Sequence, residues 1–370
     1  MTVPFRAGLF RAVPRALAVM AIATASVAAQ SPAPTRVEGS PSSGPLRVLP
    51  VRGNVFMIAG AGGNITVSIG RDGTMLVDTG SPSMTETVLQ TIRDLERQVM
   101  ASGMPQRGCL GATQHCSSWW SSSNFLAATV APPAPRPIAA IINTSVNAAH
   151  IGGNAALASA GRTFGVRNLF DAAQIGAWIV AHENVATRLS PGGVPSVPAA
   201  ALPSEVYFGD EKKLNFFNGE AVVVTHIPRA HTDGDSIVHF RGSDVIATGD
   251  FVNLDHYPVI DVERGGSIQG IVNGVNRLLD ITVVEHMMEG GTMIVPGHGR
   301  LADTADLAYY RDMVTIVRDR VRELRTRGLS LEQIQRAGVT RDYDPRFGRD
   351  AAWTPANFVE AIFRTLPPGS

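Results

Sequence analysis

Net charge is the first thing this sequence lacks. Its 32 Lys and Arg balance 32 Asp and Glu, so the basic footprint of a protein that grips phosphate backbones or anionic lipid is missing. Nucleic acid is therefore excluded as an expected partner. Lysine is nearly absent: Lys212 and Lys213 are the only two, and the remaining basic residues are all Arg, a bias that reads as coding preference before it reads as phosphate recognition. Cysteine is limited to Cys109 and Cys116. Six residues separate them and the CxxC spacing of zinc sites is absent, so a disulfide closing a small loop, two free thiols and a pair of metal ligands all stay open. No internal repeat at a solenoid period of roughly 20–50 residues is found. After residue 29 no uncharged apolar run approaches the roughly 20 residues needed to cross a bilayer.

What is present begins at the amino terminus. Arg6, Arg11 and Arg15, without an acid, precede the apolar run Ala16 to Ala23 and then Ser26-Val27-Ala28-Ala29. These are the three zones of a secretory signal peptide, with cleavage expected after Ala28 or Ala29. Losing those arginines leaves 29 basic residues against 32 acidic ones. A soluble, slightly acidic protein in the periplasm or the medium is expected, with no membrane association after cleavage. Export is also what makes a disulfide in the cysteine pair chemically admissible.

The segment 30–45 is rich in Ser, Pro and Gly and reads as a tether, with the ordered domain starting near Leu46. Strands are expected at Val55 to Ile58, Ile65 to Ile69, Met75 to Val77, Ile138 to Ile142, Val222 to Thr225, Ile237 to Phe240, Val245 to Thr248 and Thr292 to Val295. The Gly60-Ala61-Gly62-Gly63-Asn64 cluster reads as a hairpin turn, since no helix carrying a Lys follows it as a phosphate loop requires. Helices are expected over Met84 to Met100 and Ser267 to Leu279. Residues 103–137, with the Trp119-Trp120 pair, form an inserted loop placed either to flank a site or to cover a sheet edge. Past Arg300 the pattern turns helical, with a capping box predicted at Ser330 and Gln333 and a helix start at Thr354-Pro355. The whole is a mixed α/β body, 46–300, with a helical C-terminal extension, 301–370.

Chemistry concentrates in histidines at strand ends beside Gly or Asp: His150, His226, His231 and His298, together with Asp250. Imidazole and carboxylate are ordinary ligands of zinc or iron, and the ends of neighbouring strands bring distant residues to one rim. The ordered set Leu76-Val77-Asp78-Thr79-Gly80, Asn143-Thr144 through His150-Ile151-Gly152-Gly153-Asn154, Ala230-His231-Thr232-Asp233-Gly234-Asp235, Ala247-Thr248-Gly249-Asp250 and Pro296-Gly297-His298-Gly299 resembles the metallo-β-lactamase fold hydrolases. The resemblance spans Leu46 to Arg300. It implies an αββα sandwich with one or two metal ions at the sheet edge, where bound hydroxide attacks an ester, thioester, amide or lactam, or phosphoester in a small-molecule substrate.

The departure from the family is as informative. Its HxHxDH ligand positions read here Ser145, Asn147, Ala149 and His150. By the resemblance, the first metal site keeps only His231 and the shared Asp250. The second keeps His150, Asp250 and His298. Two His and one carboxylate make an accepted mononuclear set, so one divalent ion is expected, zinc first and iron or manganese as alternatives, with His231 assisting. Asn147 could lend its amide oxygen to the depleted site. With the family's Asp replaced by Ala149, a base must come from elsewhere, and Asp233, Asp235 and His256 are the candidates; the resemblance also puts Asp235 where it would orient His231. Asp78 is expected to support the site from behind. His182, His239 and His286 are read as structural or exposed, and His226 as a substitute ligand. A non-catalytic relative that binds a ligand or partner is the alternative function, and an iron-dependent redox protein is a third.

Overall fold

The computed structural model describes residues 45–101, 137–162, 176–190, 197–284 and 290–367. The expected signal peptide, almost all of the tether, both cysteines, the Trp119-Trp120 segment and His286 lie outside the described residues. Two sheets carry the fold. In the first, β1 (Arg47–Arg52), β2 (Val55–Ala59), β3 (Ile65–Gly70) and β4 (Gly73–Val77) form an antiparallel meander, and β5 (Ile138–Ile142), β6 (Trp178–His182) and β7 (Glu205–Tyr207) continue it in parallel. In the second, β8 (Glu211–Phe217), β9 (Glu220–His226), β10 (Ser236–Phe240) and β11 (Val245–Asn253) are antiparallel, and β12 (Met293–His298) lies parallel to β11.

Side-chain alternation along the strands decides what each face packs against. Met75 and Val77 of β4 enter the core between the sheets, where they meet Val222, Val224, Val238, Phe240 and Val295. Leu76, between them, faces the other way onto α1 (Thr85–Ala101), whose Val88, Ile92, Leu95 and Val99 repeat at helical spacing and are all buried. Two small helices, α2 (Ala148–Ile151) and α3 (Asn154–Ser159), follow β5, and α4 (Glu183–Leu189) follows β6. On the far side of the second sheet, Ile237, Ile246 and Ile294 pack with α5 (Ile268–Ile281) and α6 (Thr304–Thr326). The layers are thus helix, sheet, sheet, helix, the αββα sandwich that the motif order implied.

The C-terminal helices are part of that outer layer. After α6 come α7 (Leu331–Arg336), α8 (Asp344–Phe347) and α9 (Pro355–Thr365), and Tyr310, Phe347, Phe358 and Ile362 join the same apolar cluster as the second sheet. Each such side chain, fully buried, stabilises by about 1.5–3 kcal/mol relative to exposure. The expected capping box forms, Ser330 Oγ accepting from Gln333 N–H and the Gln333 side chain accepting from Ser330 N–H. No helix among the described residues is long and apolar enough to cross a membrane.

Strand direction positions the site. Because β4 and β5 are parallel, as are β11 and β12, their carboxyl ends share one rim. The two sheets are stitched there by Asn64 N–H to Gly297 O at 2.8 Å and by Ser236 N–H to Thr144 O at 2.9 Å.

Candidate metal centre

The site is built backwards from Asp78, the residue after β4. Its carboxylate is buried, with Oδ1 accepting from Thr144 N–H at 2.8 Å and Oδ2 accepting from Thr144 Oγ at 2.6 Å and meeting His150 Nδ1 at 2.6 Å. Donation of the His150 Nδ1 proton to Asp78 turns Nε2 toward the rim. There Nε2 lies 2.7 Å from Asp250 Oδ1. The backbone on the other side is equally held: His150 O accepts from Thr79 N–H at 2.7 Å and from Thr79 Oγ at 3.0 Å.

Asp250 arrives from β11 through Gly249, whose φ of +61° places it in left-handed space. A Cβ at Gly249 would stand 2.4 Å from Thr144 Oγ, so only glycine lets the strand pass this close to the loop after β5. The two oxygens of Asp250 then meet different company. Oδ1 faces His150 Nε2 and, at 3.2 Å, His298 Nε2 at the end of β12. Oδ2 accepts from Asn147 Nδ2 at 2.8 Å and has Ser145 Oγ and His231 Nε2 each 3.5 Å away. The amide of Asn147 has a fixed orientation, because its Oδ1 accepts the Ala149 N–H at 3.1 Å as the cap of α2. Asn147 therefore presents nitrogen to Asp250, and its oxygen is spent on the Ala149 N–H.

Electrostatics follow from burial and pairing. Burial works against a charged His150, but the carboxylates of Asp250 and Asp78 on either side override it and push the imidazole well above its usual range. Asp250 shows the converse: burial favours the neutral acid, yet His150 and His231 hold it well below the ordinary carboxylate range. A proton shared in this cluster is the kind that a divalent cation displaces.

A metal ion suits the donor set. One ligand atom each from His150, Asp250 and His298 lie within 4.8 Å of one another, the first two residues buried and the last half-buried. Among the described residues this is the one His, Cys, Asp and Glu group with that geometry. The structure thus brings together three of the four residues expected as ligands. His231 stands to one side of them, on the Oδ2 face of Asp250.

The two expected catalytic helpers are engaged elsewhere. Asp235 does not orient His231: its oxygens accept Thr232 N–H at 2.8 Å and Thr232 Oγ at 2.7 Å, while His231 Nδ1 bonds to Val259 O at 2.9 Å. Burial raises the Asp235 carboxyl to about 6. His256 is locked at both nitrogens. Asn253 Oδ1 accepts the N–H groups of Asp255 and His256, each at 2.9 Å, which turns Asn253 Nδ2 onto His256 Nε2 at 2.8 Å; His256 Nδ1 then donates to Tyr257 O at 2.7 Å. Burial lowers its affinity for a proton, and His298 adds to that effect. Asp233 forms an ion pair with Arg188.

His226 and His182 lie outside the cluster. Their rings stack with centroids 3.7 Å apart, His226 Nε2 bonding Asp233 O and His182 Nδ1 capping α4. His239 Nε2 lies 3.4 Å from Asp244. Tyr257, next to His256, is buried against Phe358. Val259 and Asn253 carry no motif that would have drawn notice, since one acts through a backbone carbonyl and the other through a turn.

Comparison with known proteins fits this geometry. The family model described as the metallo-beta-lactamase superfamily matches residues 58–307. No curated protein matches the chain. Among solved structures, the stereoselective inverting sec-alkylsulfatase Pisa1 from Pseudomonas sp. superposes with a TM-score of 0.56 at 13% identity, over 86% of this chain and 50% of that one. A double mutant of the sec-alkyl sulfatase PisA1 gives the same TM-score at 14% identity. This chain thus spans about half the length of those enzymes. A metallo-beta-lactamase from Pontibacter korlensis aligns over 73% of this chain and 99% of its own, at 14% identity and a TM-score of 0.45. The matched segment covers more than half of the chain and runs from β2 through β12, and the chain belongs to the metallo-beta-lactamase superfamily.

Proposed function

We propose that this chain is an exported metal-dependent hydrolase with a mononuclear centre, in which His150, Asp250 and His298 hold one divalent ion, zinc before iron or manganese. The division of Asp250 carries the reading. Its Oδ1 faces two imidazole nitrogens, whereas its Oδ2, the oxygen a second ion would need, accepts from the Asn147 amide. When bound, such an ion supplies Lewis acidity that polarises a carbonyl or phosphoryl oxygen and acidifies water.

The protein's own groups do the rest. Asp78 holds the Nδ1 proton of His150 so that Nε2 stays available. Asn147 and Ser145 satisfy the far side of Asp250 and keep it from turning. His231, whose Nδ1 is tied to Val259 O, directs Nε2 to the same space, where it can hold a proton or orient a bound group. The substrate is a small molecule with an ester, thioester, amide or lactam, or phosphoester bond.

Metal analysis of the purified mature protein tests this directly. About one equivalent of zinc, iron or manganese is expected, lost in His298→Ala together with turnover on a panel of those substrates and a secondary alkyl sulfate. No stoichiometric metal, or full occupancy in His298→Ala, overturns the site. Export is tested by the amino terminus of the mature protein recovered from the periplasm or medium, which should start after Ala28 or Ala29. Ala149, where the family has a carboxylate, favours a second reading as a non-catalytic relative. That reading predicts a ligand-induced rise in melting temperature with no turnover on any of the panel.

A further inference from the structure

We infer that Asn64, in the turn between β2 and β3, is the positioning residue for His298, so that this turn belongs to the metal centre although it supplies no ligand. The inference rests on the reading of His298 as a ligand. His150 is aimed by Asp78, the usual device of a hydrogen bond to the ring nitrogen that does not ligate. For His298, by contrast, Nδ1 has no hydrogen-bond partner among the described residues, and its Nε2 meets Asp250. Its ring lies beside those of His150 and His256, and the backbone that carries it sets where it enters that space.

Asn64 holds that backbone. Its Nδ2 donates to Pro296 O and to Gly299 O, each at 2.9 Å, and its N–H donates to Gly297 O at 2.8 Å. Three hydrogen bonds from one buried residue thus bracket His298 on both sides. Spending both amide protons on carbonyls strands the other end of the side chain: Asn64 Oδ1 is buried and has no hydrogen-bond partner among the described residues. Leaving a buried acceptor unpaired is costly, and here the side chain bears that cost while both of its amide protons hold the backbone on either side of His298. The same turn fits His150 closely. A Cβ on Gly63 would stand 3.0 Å from His150 Cε1 and 3.1 Å from Nε2, so the turn approaches both imidazoles at once.

Asn218 provides a matched control. At the end of β4 away from Asp78 it too bonds across turns, through Nδ2 to Ser68 Oγ and Gly73 O and through Oδ1 from Asp72 N–H. The test compares wild type, Asn64→Ala, Asn64→Asp and Asn218→Ala for zinc affinity by chelator competition, for melting temperature without metal, and for amide hydrogen exchange without metal. Both Asn64 variants should bind zinc about 10- to 100-fold more weakly and exchange faster at 296–299. Asn218→Ala should lower the melting temperature and change neither. Wild-type affinity in both Asn64 variants, or an equal loss in Asn218→Ala, overturns the inference. If wild type itself binds no zinc, the ligand reading fails instead. The metal-free exchange then still decides for Asn64, since unchanged exchange at 296–299 removes its role.

Discussion

Asp78→Asn isolates the support of the metal centre from the centre itself. Asparagine has nearly the same shape as aspartate and tolerates the left-handed backbone that Asp78 adopts at φ +66°, so the fold should survive. The hydrogen-bond inventory does not. The carboxylate accepts from Thr144 N–H, Thr144 Oγ and His150 Nδ1. An amide that keeps its oxygen on the Thr144 N–H turns its NH2 onto His150 Nδ1. That donor forces the ring proton over to Nε2, the nitrogen a metal needs bare. If the amide flips instead, His150 is satisfied and two N–H groups oppose each other at Thr144. Either arrangement forfeits a bond to a charged group, worth about 1.5–3 kcal/mol. At about 1.4 kcal/mol per tenfold, that loss means zinc binding about 10- to 100-fold weaker. Chelator competition at neutral pH reads the affinity, and circular dichroism checks the fold. Wild-type affinity in a folded Asp78→Asn protein would refute the view that Asp78 sets the tautomer of His150.

Other expectations follow from the same geometry. Ser145→His, Asn147→His and Ala149→Asp combined should raise zinc stoichiometry from one to two, because the variant frees Asp250 Oδ2 and restores the donors beside it; elemental analysis decides, and a ratio still at one counts against the account of the depleted site. Burial and the neighbouring His226 lower His182 to about 4. Between that value and the unfolded value near 6.5 the unfolded chain binds the extra proton, so stability is full above about pH 6.5 and falls as the pH drops toward 4, by at most roughly 3 kcal/mol. Urea melts of wild type and His182→Asn, which keeps a capping side chain, should diverge in that window; parallel curves would remove the stacked pair as the cause. Phe358→Ala deletes a fully buried ring packed on Tyr257 and should cost about 3–5 kcal/mol in a single unfolding transition; a separate early transition would show the C-terminal helices to be an independent unit.

Much of the fold was legible because apolar runs and turn glycines coincide. β2, β3, β4, β5 and β9 to β12 lie where apolar segments border Gly, Asn or Asp at one end or both. β1, β6, β7 and β8 were not legible. β8, with sequence Glu-Lys-Lys-Leu-Asn-Phe-Phe, is an edge strand of the second sheet, and β7 has three residues. Edges carry charge by design against mispairing, so they lack the alternation that marks a half-buried strand. In the site, residues that act through a side chain in a motif were visible: His150, His231, Asp250, His298 and Asp78. Their supports were hidden where a backbone carbonyl does the work, as at Val259, or where a short polar residue sits in a turn, as at Asn253 and Asn64. The role given to Asp235 failed for a local reason, since Thr232, three residues away, captures its carboxylate before His231 can.

The left-handed backbone at Asp78 sets two kinds of selection against each other. A non-glycine residue there costs on the order of 1 kcal/mol, and glycine would relieve it. Variants chosen only for thermal stability should therefore drift toward glycine at this position and discard the carboxylate behind His150. Retention of Asp through repeated rounds of mutation would report selection for the chemistry rather than for the fold, which makes position 78 a sensor of which pressure a population of these proteins has experienced.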